Sequence, residues 1–384
     1  MEKYKQPDGL RGLLTVFVIA AHWLPEALDD SVDPRLLRWI TVIAEAGMYF
    51  FFVLSGFLIS GILIRNRLKA EETGYSKKQV WKNYFIRRTL RIFPIYYLCI
   101  GFLIFFNVLW IKNISWWHLT YLSNIFFYQQ DHWGLGGHLW SLSTEEQFYI
   151  IWPVIILFMP LRHLKKIVLG IVLVAPLFRM SMNTWNPSFF TQLLTPALFD
   201  GLGLGALLAL HQTLPTTKSN DTSPRLMKTA GLVGLALLFL FEIRPFSLPI
   251  WNEFHPFYEF FRRSSMALIG VFLVWGSVKG FKGIAKWTLE NSVILYFGKI
   301  SYGLYLFHNF QLYLFEWFKI DLPATGGFIL IHFAILVAVA SLSWYVVELP
   351  VNNLKKYFPY IRKTPEVAKV QPLAVTVTEQ TYQN

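Results

Sequence analysis

Long apolar runs separated by short charged clusters dominate this chain. Segments 40–64, 92–111, 150–161, 226–243, 292–315 and 326–347 carry few or no charged side chains. A bilayer core about 30 Å thick takes roughly 20 such residues per helix, and shorter runs extend through weaker flanks and tilt. Backbone in lipid is satisfied only by helices or closed barrels, and these runs lack the alternation of a barrel strand. The pattern therefore predicts an all-α fold, a polytopic membrane helix bundle of about ten transmembrane helices. The spans fall near 10–26, 40–64, 88–111, 143–161, 165–182, 192–211, 226–243, 263–279, 292–315 and 326–348.

Charge placement orients the bundle. Only 15% of residues are charged, against roughly a quarter in soluble chains. The net charge of +12 raises nucleic acid as a partner, but the distribution argues against it. Nine basic residues lie between Arg65 and Arg91, against Glu71 and Glu72. Further basic clusters occur at Arg162/Lys165/Lys166, Lys218/Arg225/Lys228, Lys279/Lys282/Lys286 and Lys355/Lys356/Arg362/Lys363, while a loop such as Glu26/Asp29/Asp30/Asp33 is acidic. Alternation of basic with non-basic loops is the positive-inside pattern. It places both termini in the cytoplasm, with residues 1–350 as the membrane domain and 351–384 as a cytoplasmic basic segment whose end, 364–384, reads as a disordered tail. The first apolar run lacks a persuasive small-residue cleavage site and is expected to be a retained span. The single cysteine, Cys99, excludes an internal disulfide and a cysteine-based metal site.

Ionisable groups inside a membrane are costly and mark functional sites. Arg11 and His22 are eleven residues apart, three turns plus about 20°, so they share a face roughly 16 Å apart along the axis. Arg11 lies near the cytoplasmic end and His22 toward the outer part, with Asp8 expected as the N-cap. In Phe51-Phe52-Val53-Leu54-Ser55-Gly56-Phe57-Leu58, the Ser-Gly pair permits close backbone approach, so packing is the expected role of Ser55. Arg88 and Arg91 sit at i,i+3 where a span enters from the cytoplasm. Guanidinium groups near a helix N-terminus suit a phosphate, although topology-setting charge explains them equally. Ser143 and Glu146 have capping-box spacing, which leaves Glu145, with Tyr149 at i,i+4, as the carboxylate for orienting a histidine or binding a sugar hydroxyl. Ser301, Tyr305 and His308 form a polar stripe, either a water-lined wall or a packing network. His118, His132, His163, His211, His255 and His332 show no comparable setting.

Taken together, from Asp8 to about Glu348, these segments resemble the acyltransferase-3 family of integral-membrane O-acyltransferases. Asp8-Gly9-Leu10-Arg11-Gly12 with His22 resembles its Arg-x10-His signature, the Phe51–Leu58 stretch its second motif, and Arg88-x-x-Arg91 its basic pair. Trp140-Ser141-Leu142-Ser143-x-Glu145-Glu146-Gln147-Phe148-Tyr149 and Ser301-Tyr302-Gly303-Leu304-Tyr305-Leu306-x-His308 complete the order. The resemblance implies ten spans in the cell (inner) membrane. It implies transfer of an acyl group, often acetyl, from cytoplasmic acyl-CoA to a hydroxyl of a cell-surface or lipid-linked carbohydrate, with no permanently bound cofactor and no metal. Some relatives append a hydrolase-like domain; none is expected in this chain, which ends shortly after its tenth span.

On that basis His22 is expected to act as general base with Glu145 orienting it or the acceptor. Arg11, Arg88 and Arg91 would hold the CoA phosphates, with Tyr149, Tyr305 and His308 lining the acceptor cavity. An acyl-histidine route and a different class, a transporter or export partner for lipid-linked glycans, are the alternatives. Ten spans with midplane polar groups fit a transporter too, but no internal repeat is evident.

Overall fold

The computed structural model describes residues 5–27, 33–214, 223–243, 256–320 and 328–361. Residues 364–384, the expected tail, lie outside them, as do Asp29, Asp30 and Lys218. Among the described residues the secondary structure is helical, with no strand. The order is α1 (Lys5–Ala27), α2 (Pro34–Thr73), α3 (Lys77–Phe105), α4 (Ser115–Leu119), α5 (Ser123–Gln130), α6 (Leu139–Phe158) and α7 (Leu161–Trp185). It continues with α8 (Phe199–Thr213), α9 (Ser223–Ile243), α10 (Pro256–Lys279), α11 (Gly283–Leu289), α12 (Ser292–Trp317), α13 (Phe328–Ser343) and α14 (Leu349–Asn353). A π-helical turn, Trp344–Glu348, joins the last two.

A long helix falls on each of the predicted segments, yet they are not equally apolar. Among the described residues five helices are long and apolar enough to cross a membrane, and a sixth if α10 and α11, bent by 83° at their junction, count together. α1, α6 and α12 miss that standard because they carry the polar side chains described below; α8 has only 15 residues.

Glycines set how closely the helices approach. A Cβ on Gly56 would lie 2.0 Å from the Leu202 carbonyl oxygen, and one on Gly205 2.0 Å from that of Val53. Only bare backbone fits where α2 crosses α8, so Gly56 carries the packing expected of the Ser55-Gly56 pair. α1 meets α12 the same way: a Cβ on Gly12 would be 2.3 Å from the Ile294 oxygen, and one on Gly298 2.1 Å from the Asp8 oxygen.

Three local expectations are corrected. Asp8 is not an N-cap: the described helix is already under way at Lys5, and Asp8 instead accepts from Arg11 Nη1 at 3.2 Å. Ser143 and Glu146 do not form a capping box, because the Gly134–Gly137 turn starts α6 at Leu139. There Ser143 Oγ donates to the Leu139 carbonyl at 3.1 Å, within the helix. The span expected over 88–111 ends at Phe105. Asn107, Leu109 and Trp110 take φ of 47°, 42° and 63°, and the chain folds into a 3-10 turn that buries Val108 and Ile111 against Leu306 and Phe310. Those apolar residues serve the core rather than a lipid face.

The described residues beyond 350 stay attached to α3. Arg87 Nη1 donates to the Lys355 carbonyl at 2.6 Å, and Asn83 Nδ2 to that of Pro359 at 2.6 Å.

Candidate active site

The α1–α12 crossing brings two histidines together. His22 Nδ1 lies 3.1 Å from His308 Nε2, with ring centroids 4.9 Å apart. The proton positions follow from their other partners, since a carbonyl only accepts. His308 Nδ1 is 2.6 Å from the Tyr305 oxygen and carries the hydrogen, so its Nε2 is an acceptor. His22 Nδ1 is 2.9 Å from the Val18 oxygen and carries a hydrogen shared with His308 Nε2. The His22 Nε2 lone pair is thereby left free on an exposed ring, while His308 is fully buried.

A third imidazole backs the pair. His138 stacks edge-on to His308 at 4.9 Å and donates from Nε2 to the Leu306 carbonyl at 3.1 Å. Its Nδ1 is buried with no hydrogen-bond partner among the described residues. Gly136, at φ 73°, packs on His118 and turns the chain so that His138 points into the bundle. The Tyr305 hydroxyl closes the group, 2.8 Å from the His138 carbonyl and 2.5 Å from Ser141 Oγ. Sequence reasoning passed over His138; its position directly after the Gly136-Gly137 pair at a span entrance was the available signal. Among the described residues no group of three His, Cys, Asp or Glu side chains could hold a metal ion.

The remaining predicted residues form a second group, about three turns down α1. Arg88 donates to Glu146 Oε1 through Nη2 at 2.9 Å and Nε at 3.2 Å, and its guanidinium sits 3.1 Å from the centre of the Tyr149 ring. Glu145 Oε1 accepts from Ser55 Oγ at 2.8 Å and lies beside Arg88 and Tyr149. Val18 and His308, not Glu145, are the groups bonded to His22. Ser55 thus has a polar partner that its sequence context did not reveal. Arg91 is exposed and lies in the electric field of Arg11 and Arg88. Lys355, read from the sequence only as part of a cytoplasmic basic cluster, adds positive charge beside Arg87, Arg88 and Arg91.

The arrangement is a basic mouth leading along α1 to an imidazole with a free lone pair. The acyltransferase-domain family model Acyl_transf_3 matches residues 4–348. The chain belongs to the acyltransferase-3 family. This acyltransferase is 27% identical over 331 residues to the peptidoglycan O-acetyltransferase OatA of Listeria monocytogenes, covering 78% of this chain and 48% of the relative. It is 22% identical over 374 residues to the O-acetyltransferase OatA of Staphylococcus aureus, covering 90% of this chain and 57% of the relative. The chain spans about half the length of these curated relatives. No solved structure matches it. Family membership places the chain in a membrane-integral acyltransferase family, which speaks against the transporter considered as the other class.

Proposed function

We propose that this acyltransferase moves an acetyl group from acetyl-CoA on the cytoplasmic side to a hydroxyl of a cell-surface or lipid-linked carbohydrate, with peptidoglycan among the candidate acceptors. The names of both relatives support acetyl as the group, and that of the Listeria relative supports peptidoglycan as an acceptor. The protein crosses the cell membrane ten times with both termini cytoplasmic. Residues 1–350 form the catalytic domain and 351–384 a basic segment.

One observation carries the reading: His22 is bonded through Nδ1 and free at Nε2. The acceptor hydroxyl gives its proton to His22 Nε2 as its oxygen attacks the thioester carbon. The C–O bond forms, the C–S bond breaks, and the proton passes to the departing CoA thiolate. As His22 becomes cationic, its Nδ1–H bonds to Val18 and His308 become charge-assisted and strengthen, so they favour the transition state over the ground state. Arg11 and Arg91, with Arg88 fixed on Glu146, hold the CoA phosphates. The roughly 16 Å of α1 between Arg11 and His22 is bridged by the extended pantetheine arm. Tyr149 and Glu145 flank that path; Tyr305 and His308 line the histidine end.

Purified protein given radiolabelled acetyl-CoA and candidate glycans tests this. His22→Ala is expected to lower transfer by about 10²–10⁴-fold, the usual contribution of a general base. A correctly inserted His22→Ala protein working at the normal rate would falsify the base assignment. A labelled acyl-enzyme trapped without acceptor would replace direct transfer by the acyl-histidine route.

A further inference from the structure

A cavity lies away from the histidines, at the end of the bundle where α1 finishes and α2 begins. Its volume is about 300 Å³, at the small end of ligand sites. The walls come from the first turns of α2 and α10, the last turns of α7 and α9, and the 3-10 turn Phe189–Leu193. On α2 the lining residues are Arg38, Thr41, Val42 and Glu45. At 100° per residue they centre about 170° from Gly47, the position that meets Val18 of α1. α2 therefore stands between this cavity and His22.

The wall is of mixed charge, with four arginines, Arg38, Arg179, Arg262 and Arg263, and two glutamates, Glu45 and Glu242. Arg262 pairs with Glu45 at 2.7 Å and also with Glu242, and Arg38 reaches Glu242 at 2.9 Å. Arg179 pairs at 2.7 Å with Asp200 behind the wall, and Arg263 lies in the field of Glu45. Burying so many charges has a high desolvation cost, which pairing offsets only in part. Two neutral groups on the same wall are left over. Thr191 Oγ1 and Gln192 Nε2 belong to buried side chains, and neither has a hydrogen-bond partner among the described residues. Each such atom destabilises the fold unless something satisfies it.

The donor set selects the ligand. A phosphate only accepts hydrogen bonds and would face the carboxylates of Glu45 and Glu242. A sugar hydroxyl donates and accepts, so it satisfies carboxylate, guanidinium, amide and threonine alike. Tyr258 and Phe189 add aromatic surface for the apolar face of a ring. We propose that this cavity binds one sugar unit of the acceptor glycan, at a subsite separated by α2 from the hydroxyl that reacts. The proposal rests on the carbohydrate reading given above.

Saturation-transfer NMR on the full chain in lipid nanodiscs tests it. The probes are glucose, galactose, rhamnose, N-acetylglucosamine and N-acetylmuramic acid, with inorganic phosphate as competitor. At least one sugar is expected to bind, undisturbed by phosphate. Thr191→Val and Gln192→Leu remove groups with no partner among the described residues, so thermal stability should hold or rise while the Kd of that sugar increases roughly tenfold. His22→Ala should leave the Kd unchanged. The proposal is overturned if no sugar binds, if phosphate displaces it, or if neither cavity variant weakens it. Transfer from labelled acetyl-CoA is scored separately. Sugar binding that responds to both variants in a protein that transfers no acetyl group would sink the proposed reaction and leave the subsite standing. Normal transfer with an unresponsive Kd would do the reverse.

Discussion

His308 shares with the Val18 carbonyl the hydrogen on His22 Nδ1, and this sets an expectation that a lining role would not. His308→Ala removes one of the two acceptors at His22 Nδ1 and lets the ring tilt. A misplaced reacting group costs up to about 10²-fold, so kcat for acetyl transfer should fall by that order with little change in KM for acetyl-CoA. His308→Gln, which keeps an acceptor, should recover part of the loss. The two arginines of the basic pair should also separate. Arg88 is held by Glu146, with side-chain exposures of 14% and 11%, so Arg88→Ala strands a buried carboxylate and should cost about 3–5 kcal/mol of stability. The double change Arg88→Met with Glu146→Leu should cost less. Arg91 is exposed; Arg91→Ala should leave stability within about 0.5 kcal/mol while raising KM for acetyl-CoA. Detergent-phase unfolding and steady-state kinetics check both. At this scale the sequence made the residues of the site visible by spacing along single helices, Arg11 with His22 and Tyr305 with His308. It could not pair them across helices. His138 was missed because its partners, Leu306 and His308, are about 170 residues distant, and Glu146 was misassigned because a local cap explained it without Arg88.

Helices were the most legible level, because the apolar runs demand them. What the runs concealed was the origin of their contacts. The α2–α8 and α1–α12 crossings depend on glycines at which a Cβ would collide with a backbone oxygen, and no hydropathy pattern distinguishes those glycines from idle ones. Gly205→Ala should therefore destabilise by about 1–3 kcal/mol through overpacking. Gly101→Ala, where a Cβ would meet nothing within 4 Å, should be neutral or stabilising by about 0.5–1 kcal/mol; thermal midpoints of the two variants compare them directly. α2 and α3, which meet the composition standard for a span, add Ser55 and the arginine pair to the site; the helices too polar to meet it, α1, α6 and α12, hold His22, Glu145 and His308. Their polar residues lower the apolar signal for the same reason that they matter. Segment 106–138 was opaque for another reason. Its short helices and left-handed turns have no sustained period, and its apolar residues divide between the interior, as Val108, Ile111 and Phe127 do, and the surface, as Trp110 and Trp116 do.

For the whole molecule, the arrangement of charge predicts orientation. α2 has 40 residues, roughly 60 Å of helix at 1.5 Å per residue, so it outruns a 30 Å hydrocarbon core and projects with α3 as a basic hairpin. In a Cys99→Ser background, a cysteine at exposed Lys78 should react with an impermeant maleimide only after permeabilisation. One at exposed His132 should react in intact cells. The opposite result would invert the topology. α2 also has a consequence for what the enzyme accepts. A helix with its side chains is about 10–12 Å across, and the histidine pair and the charged cavity lie on opposite faces of this one. No single ring reaches both. A glycan seated in the cavity must be long enough to go around α2 before it can offer a hydroxyl to His22, so α2 works as a ruler. Free monosaccharides would occupy the cavity and still be poor acceptors, and reactivity would rise with the number of linked units.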